Sequence, residues 1–254
     1  MKRYSKPAAT ILALIMLVVV WQAVVRIGNY EESLFPSPLR VGKGIVELAT
    51  NGVLLADLRV SMLRFAAGYL SASVIGIALG LALGRVRLLW DLADPIVQVL
   101  RPVSPIAWSP FIVLWFGIGN IPAIVIIFLA AFFPVLLSTV KAVRSVDATY
   151  LKVAQNFELR PVRLMTRIVF PSAFPQIAHG LHLAIGTSWI FLVSGEMVGS
   201  QSGLGFLIVD SRNLLRLDLV MAGIVLIGVF GLLLDRAVGL LERWVGKQWG
   251  MTGN

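Results

Sequence analysis

Six long apolar runs, separated by short polar and charged stretches, set the pattern of the chain. They extend from about Pro7 to Val25, Met62 to Leu83, Pro95 to Phe116, Ile121 to Val140, Phe174 to Val198 and Val220 to Leu241. Each is close to the roughly 20 residues that a helix needs to cross a bilayer. A lipid interior leaves no water for open backbone groups, so such runs form helices. The pattern predicts an all-α integral membrane protein with six transmembrane helices. Residues 26–60 read as a polar connection of mixed charge, with Phe35-Pro36-Ser37-Pro38 as a rigid turn. Residues 199–219 read as a glycine-punctuated, semi-polar loop.

Two runs have internal structure. Gly76, Gly80 and Gly84 recur every four residues in the second, which predicts a small-residue face for close helix packing. Pro102, Pro105 and Pro110 interrupt the third, which predicts a broken helix whose freed carbonyls are satisfied by neighbours or by a cavity. The first run follows Lys2, Arg3 and Lys6 and ends in Trp-Gln-Ala-Val-Val-Arg, without a small-residue cleavage site. It reads as an uncleaved first span.

Composition agrees: 58% of residues are hydrophobic and 14% charged, well outside soluble proteins. The net charge of +9 follows from topology. Of 22 Lys and Arg residues, thirteen lie in the alternate segments that include both ends, six in the two charged loops between them, and Arg64, Arg101 and Arg236 within the runs. Positive residues mark the cytoplasmic side, so both termini are expected there. No basic run interleaved with aromatics suggests nucleic acid. With no cysteine, there is neither a disulfide framework nor thiol chemistry. The chain divides into residues 1–61 (first span and outside loop), 62–245 (a five-helix core) and a tail at 246–254.

Catalytic chemistry is missing from the sequence. There is no nucleophile elbow, HExxH, CxxC or paired-carboxylate pattern. Gly42-Lys43 lacks the earlier glycine and the following Ser/Thr of a phosphate loop. His179 and His182 lie three apart on one helix, but no third ligand completes a metal site. Two of the ionisable residues within spans bear on a candidate path. Glu196, near the outer end of the fifth, faces either a bundle interior or an aqueous path, or else sits solvated in the interface. Arg101, in the third, either snorkels to headgroups or faces an anion path.

The segment from Val146 to Pro171 is the longest charge-bearing stretch between two spans. Tyr150, Val153, Ala154 and Phe157 follow i, i+3, i+4, i+7 spacing and share a helical face. Asp147 is placed to cap that helix, and Pro161 and Pro171 to break it. Such a helix lies on the lipid surface or fits a groove on a soluble partner. Its apolar face is short and mixed, which favours the partner.

Within this segment, Lys152-Val153-Ala154-x3-Glu158-x9-Ile168-Val169-Phe170-Pro171 resembles the EAA loop of ABC-importer permeases, EAA-x3-G-x9-I-x-LP. Ala154, Ile168 and Pro171 match. Lys152, Val153, Glu158 and Phe170 depart from Glu, Ala, Gly and Leu. Around it, Arg101-Pro102-Val103-Ser104-Pro105-Ile106-Ala107-Trp108 with Leu114-Trp115-Phe116-Gly117-Ile118-Gly119 resembles the nitrate/sulfonate/taurine permease branch. So do Gly180-Leu181-His182-Leu183-Ala184-Ile185-Gly186, Glu196-Met197-x4-Ser202-Gly203-Leu204-Gly205 and Asp210-Ser211-Arg212-Asn213. The resemblance covers about residues 34–245.

The resemblance implies the transmembrane domain of a type I ABC importer in the inner membrane. Two copies would form a homodimer, pair with two cytoplasmic ATPase subunits and receive substrate from a periplasmic or lipid-anchored binding protein. It implies a permease and not an enzyme: no cofactor on this chain, with ATP and Mg on the partner. Residues 141–171 become the coupling loop. Tyr150, Leu151, Val153, Ala154 and Phe157 would be the seated face, Lys152 and Arg160 its rim, and Glu158 takes the place of the usual glycine. A small anion (nitrate, a sulfonate, taurine or similar) is the implied cargo, carried by alternating access. Anion passage favours a cationic or dipolar lining, for which Arg101, Ser104, Trp108, Ser188, Trp189 and Glu196 are candidates. The alternative is an ion-coupled secondary transporter, which needs acidic groups near the membrane midplane and usually an internal repeat.

Overall fold

The computed structural model describes residues 6–28, 31, 34–147, 149, 150, 157 and 161–248. These form helices α1 (Lys6–Ile27), α2 (Pro38–Thr50), α3 (Val53–Arg85), α4 (Arg87–Leu100), α5 (Ser109–Phe116), α6 (Asn120–Arg144), α7 (Phe170–Gly199), α8 (Leu204–Asn213) and α9 (Leu217–Gln248). Among the described residues, five helices are long and apolar enough to cross a membrane: Ala9–Ile27, Val53–Arg85, Asn120–Arg144, Met165–Gly199 and Leu217–Leu240. The third apolar run forms the pair Arg87–Leu100 and Pro105–Phe116, bent by 83°, which makes a sixth crossing if the two are one broken span. The break falls at Pro102 and Pro105, where missing N–H groups prevent a continuous helix.

The core is α6, held between α3 and α7. Along α3, Gly68, Gly76, Gly80 and Gly84 meet Ile127, Val135, Thr139 and Val143 of α6 in the same order. Both sets step by eight, four and four, so the two helices run parallel and in register. Along α7 the order reverses: Gly180 faces Ser138, Gly195 faces Ala123 and Ile126, and Gly199 faces Pro122. α7 is therefore antiparallel to α6. Without side chains at these positions the backbones approach closely, which compensates in lipid for the absence of a hydrophobic drive between helices. Phe65, Ile127, Trp189 and Leu192 fill the space where the three helices converge. Most apolar side chains of α1 face outward, as a span against lipid requires.

Five features differ from the sequence expectation. Residues 26–60 contain α2, and α3 begins nine residues earlier than the hydropathy run. Ser37 Oγ accepts from the Arg40 N–H (3.4 Å) and Pro38 occupies the first turn, so the expected rigid turn is a helix start. One face of α2 (Val41, Gly44, Leu48) packs on Leu219 and Ala222 of α9. Its polar half hides this amphipathic pattern from a hydropathy window. Residues 199–219 contain α8, with Leu204, Gly205 and Leu207 buried. The third run starts at Arg87, before the expected Pro95. Finally, Pro171 does not break the helix. A π-helical turn at Met165–Val169 precedes it, and the altered bonding there absorbs the N–H that proline lacks.

Candidate functional site

The two ends of this core differ in chemistry. Ser61 and Arg64 lie near the start of α3, Asn120 at the start of α6, Glu196 near the end of α7, and Ser202 to Gly205 lead into α8. Antiparallel and parallel packing bring all of them to one end of the bundle. There Arg64 Nη1 lies 2.8 Å from Glu196 Oε1, with side-chain exposures of 3% and 0%. The guanidinium spends its remaining donors on Asn120 Oδ1 (2.9 and 2.6 Å), the Ser202 carbonyl (2.6 Å) and Ser202 Oγ (2.8 Å). All five N–H groups are engaged. Glu196 also accepts from Ser61 Oγ (2.8 Å) and the Gly205 N–H (2.9 Å). Ser61 Oγ in turn accepts from the Leu204 N–H (2.9 Å), and Asp57 Oδ1 from the Gly203 N–H (2.8 Å). Gly203 has φ +101°, and a side chain there would collide with the Glu196 carboxylate.

At the other end, α6 exposes a second stripe, turned away from α3. Phe133, Leu137 and Lys141 lie on successive turns, facing Leu183, Thr187 and Phe191 of α7. With Arg101, Val103 and Trp108 of the broken span they line a groove of about 600 Å³. A second cavity of about 500 Å³ shares Arg101, Leu137 and Lys141 and adds Trp90 and Arg144. The Arg144 guanidinium lies over the Trp90 ring at 5.1 Å. Arg101 and Lys141 thus line both cavities, and Arg144 lines the second.

The structure divides the candidate path residues. Arg101 and Trp108 line the groove. Ser104 is exposed beside them, at the start of the 3-10 turn Pro105–Trp108. Ser188, Trp189 and Glu196 face the bundle interior. Trp189 packs edge-on against Phe65 (5.8 Å) and donates from Nε1 to the Ile227 carbonyl (3.2 Å). Thr187 and Ser188 are neighbours, but 100° around a helix separates groove from core. Arg64, Lys141 and Thr187 escape a reading from sequence alone. The available signal for Arg64 was an arginine just inside an apolar run, with Glu196 an acid inside another.

Asp147 Oδ1 accepts from the Thr149 N–H at 2.7 Å, the capping role expected of it. That bond holds the Asp147 carboxyl below its ordinary pKa. Tyr150 and Phe157 are 59% and 75% exposed, apolar rings outside the core. Leu151, Lys152, Val153, Ala154, Glu158 and Arg160 lie outside the described residues. His182 Nε2 pairs with Asp235 Oδ1 at 3.2 Å, between α7 and α9.

Residues 72–247 match the family model described as binding-protein-dependent transport system inner membrane component. The chain belongs to that family. Among its relatives is SsuC of Bacillus subtilis (strain 168), a permease protein provisionally assigned to aliphatic sulfonates transport. The two are 34% identical over 242 residues, covering 95% of this chain and 87% of that protein. The nitrate import permease protein NrtB of Synechocystis sp. (strain ATCC 27184 / PCC 6803 / Kazusa) is 34% identical, covering 92% and 87%. In fold, this family member is similar to the inward-facing MetNI methionine ABC transporter, with a TM-score of 0.56 and 18% identity over 75% of this chain and 98% of that one. The family's core span begins at residue 72, inside α3, and takes in the whole of α6 and α7.

Proposed function

We propose that the chain is the permease subunit of an ATP-driven importer that carries a small anion across the inner membrane by alternating access. Two copies would form the path, two cytoplasmic ATPase subunits would drive it, and an external binding protein would deliver the cargo. The observation that carries this reading is the groove between α6 and α7, with Arg101 and Lys141 at its mouth, in a chain whose relatives are named for sulfonate and nitrate transport. The basic-residue asymmetry supports placing that mouth, and both termini, on the cytoplasmic side.

The exposed rings of Tyr150 and Phe157, on a segment whose start is capped by Asp147, support docking of an ATPase there. Leu151, Val153 and Ala154 would complete the seated face, and Lys152, Glu158 and Arg160 its edge. Closure of the ATPase pair would then shift the bundle through this rigid element. Glu196 and Asp235 are both paired, with Arg64 and His182. An ion-coupled carrier needs an acid free to exchange its ion, so the pairing supports the importer over that alternative.

Reconstitution of the chain with an ATPase and binding protein encoded beside it tests the reading. Uptake into vesicles should require ATP, and Ala154→Asp should abolish it while membrane insertion stays intact. Accumulation by the chain alone, driven by a proton or sodium gradient, would overturn the proposal.

A further inference from the structure

Helix α4 carries a polar stripe that a lipid-facing span does not tolerate. At 100° per residue, Arg87, Asp91, Asp94 and Gln98 fall within about 60° of one another, and Leu88, Leu92, Ile96 and Val99 within about 80° on another side. The polar stripe is satisfied on itself: Asp91 pairs with Arg87 (3.8 Å), and Asp94 Oδ1 accepts from Gln98 Nε2 (3.2 Å). The four apolar side chains are between 61% and 70% exposed. Trp90 and Val97 point between the two stripes, and Val97 packs on Leu136 and Val140 of α6.

α4 also lies across the bundle. The segment Pro105–Phe116 follows α6, since Trp108 shares a cavity with Leu129 and Ala130 while Val113 and Pro122 both flank Gly199. α4 stands at 83° to that segment. It does so where α6 ends, because Arg144, the last residue of α6, lies over the Trp90 ring. The three faces then have three surroundings: water for the polar stripe, acyl chains for the apolar one, and α6 for Trp90 and Val97. A helix lying in the membrane interface is divided in this way.

The cavity of about 500 Å³ between α4 and α6 is lined by Arg101, Lys141 and Arg144 beside Trp90 and Val140. No described carboxylate forms an ion pair with any of the three cations. Unanswered cations at the depth of an interfacial helix, next to an exposed apolar stripe, call for an anion that carries acyl chains. We infer that α4 lies in the plane of the leaflet at this end of the bundle, and that α4 and α6 together hold the phosphodiester headgroup of an anionic phospholipid at Arg101, Lys141 and Arg144. The acyl chains run beneath α4, against Leu92 and Ile96, and the crossing itself falls to residues 101–118.

With no cysteine in the chain, Leu92→Cys and Asp91→Cys each accept a single bimane label. Phosphatidylcholine bilayers holding the full chain receive lipids brominated in their acyl chains, which quench a label that faces those chains. The label at 92 should be quenched and the label at 91 should stay bright. Brominated phosphatidylglycerol should quench at 92 at a severalfold lower mole fraction than brominated phosphatidylcholine. Arg144→Gln should reduce that preference about fivefold, and Arg144→Lys should retain it. Equal quenching at 91 and 92 would make α4 a span inside the bilayer and overturn the inference. Labels dark to both lipids would mean that a second copy covers the apolar stripe, with the same consequence. A wild type that does not distinguish the two headgroups, or a preference untouched by Arg144→Gln, would remove the lipid site. Relief of the phosphatidylglycerol quenching by glycerol 1-phosphate would make it a site for a soluble phosphoester and end the assignment.

Discussion

Arg64 on α3 and Glu196 on α7 form a buried ion pair, 2.8 Å from Nη1 to Oε1, across 132 residues of chain. The pair fixes three helix ends and the entry to α8 as one unit, because Asn120, Ser202 and Gly205 bond to the same two side chains.

Removing one partner strands the other without its countercharge. Glu196→Gln or Arg64→Met should each cost about 3–5 kcal/mol, read as thermal unfolding in detergent. The double change Arg64→Met with Glu196→Met should recover much of the loss. Single and double variants of equal stability would mean that the pair adds nothing beyond packing.

The α3–α6 register makes a sharper demand on size. At Gly80, a Cβ would overlap the Thr139 side chain, with the Leu136 carbonyl only 3.1 Å away. Gly80→Ala should destabilise by about 1–3 kcal/mol. Gly42 on α2 has nothing within 4 Å of that position, so Gly42→Ala should be neutral or stabilise by up to about 1 kcal/mol. Equal effects at the two sites would count against close packing of α3 on α6.

Asp147 supplies a pH prediction. Its folded pKa is depressed, first by the Thr149 N–H bond, so its contribution is complete above the unfolded carboxylate value of about 3.9. It is lost only as pH falls through the lower folded value. Protection of the Thr149 amide, corrected for intrinsic exchange, should stay constant from pH 7 to pH 5 and disappear in Asp147→Ala. Protection that weakens across that interval in the wild type would contradict the cap.

Arg216, ahead of α9, bonds Glu47 of α2 at 2.8 Å and Asp218 at 2.9 Å, and these acids raise its pKa above the ordinary arginine range. It stays charged at any working pH, so its tether of α2 should depend on salt and not on pH. Arg216→Gln should cost about 0.5–1 kcal/mol and abolish that salt dependence. An unchanged salt profile would remove the tether.

By itself, the sequence determines five long apolar helices, the break in the third apolar run and the glycine face of α3. These are local consequences of hydropathy, proline chemistry and residue size, each complete within about twenty residues. The capping role of Asp147 is legible for the same reason. Residues 38–50 and 204–213 were not legible as helices, because their periodicity becomes an argument only once α9 and α7 offer a surface to bury it. Tertiary structure alone decided that Glu196 answers Arg64, and that Arg101 and Lys141 share a groove while Ser188 and Trp189 turn inward. Those outcomes depend on which face each helix presents and on the register between helices distant in sequence. One residue of slip rotates a side chain by 100°, and a pattern along a single chain does not encode its neighbour's rotation.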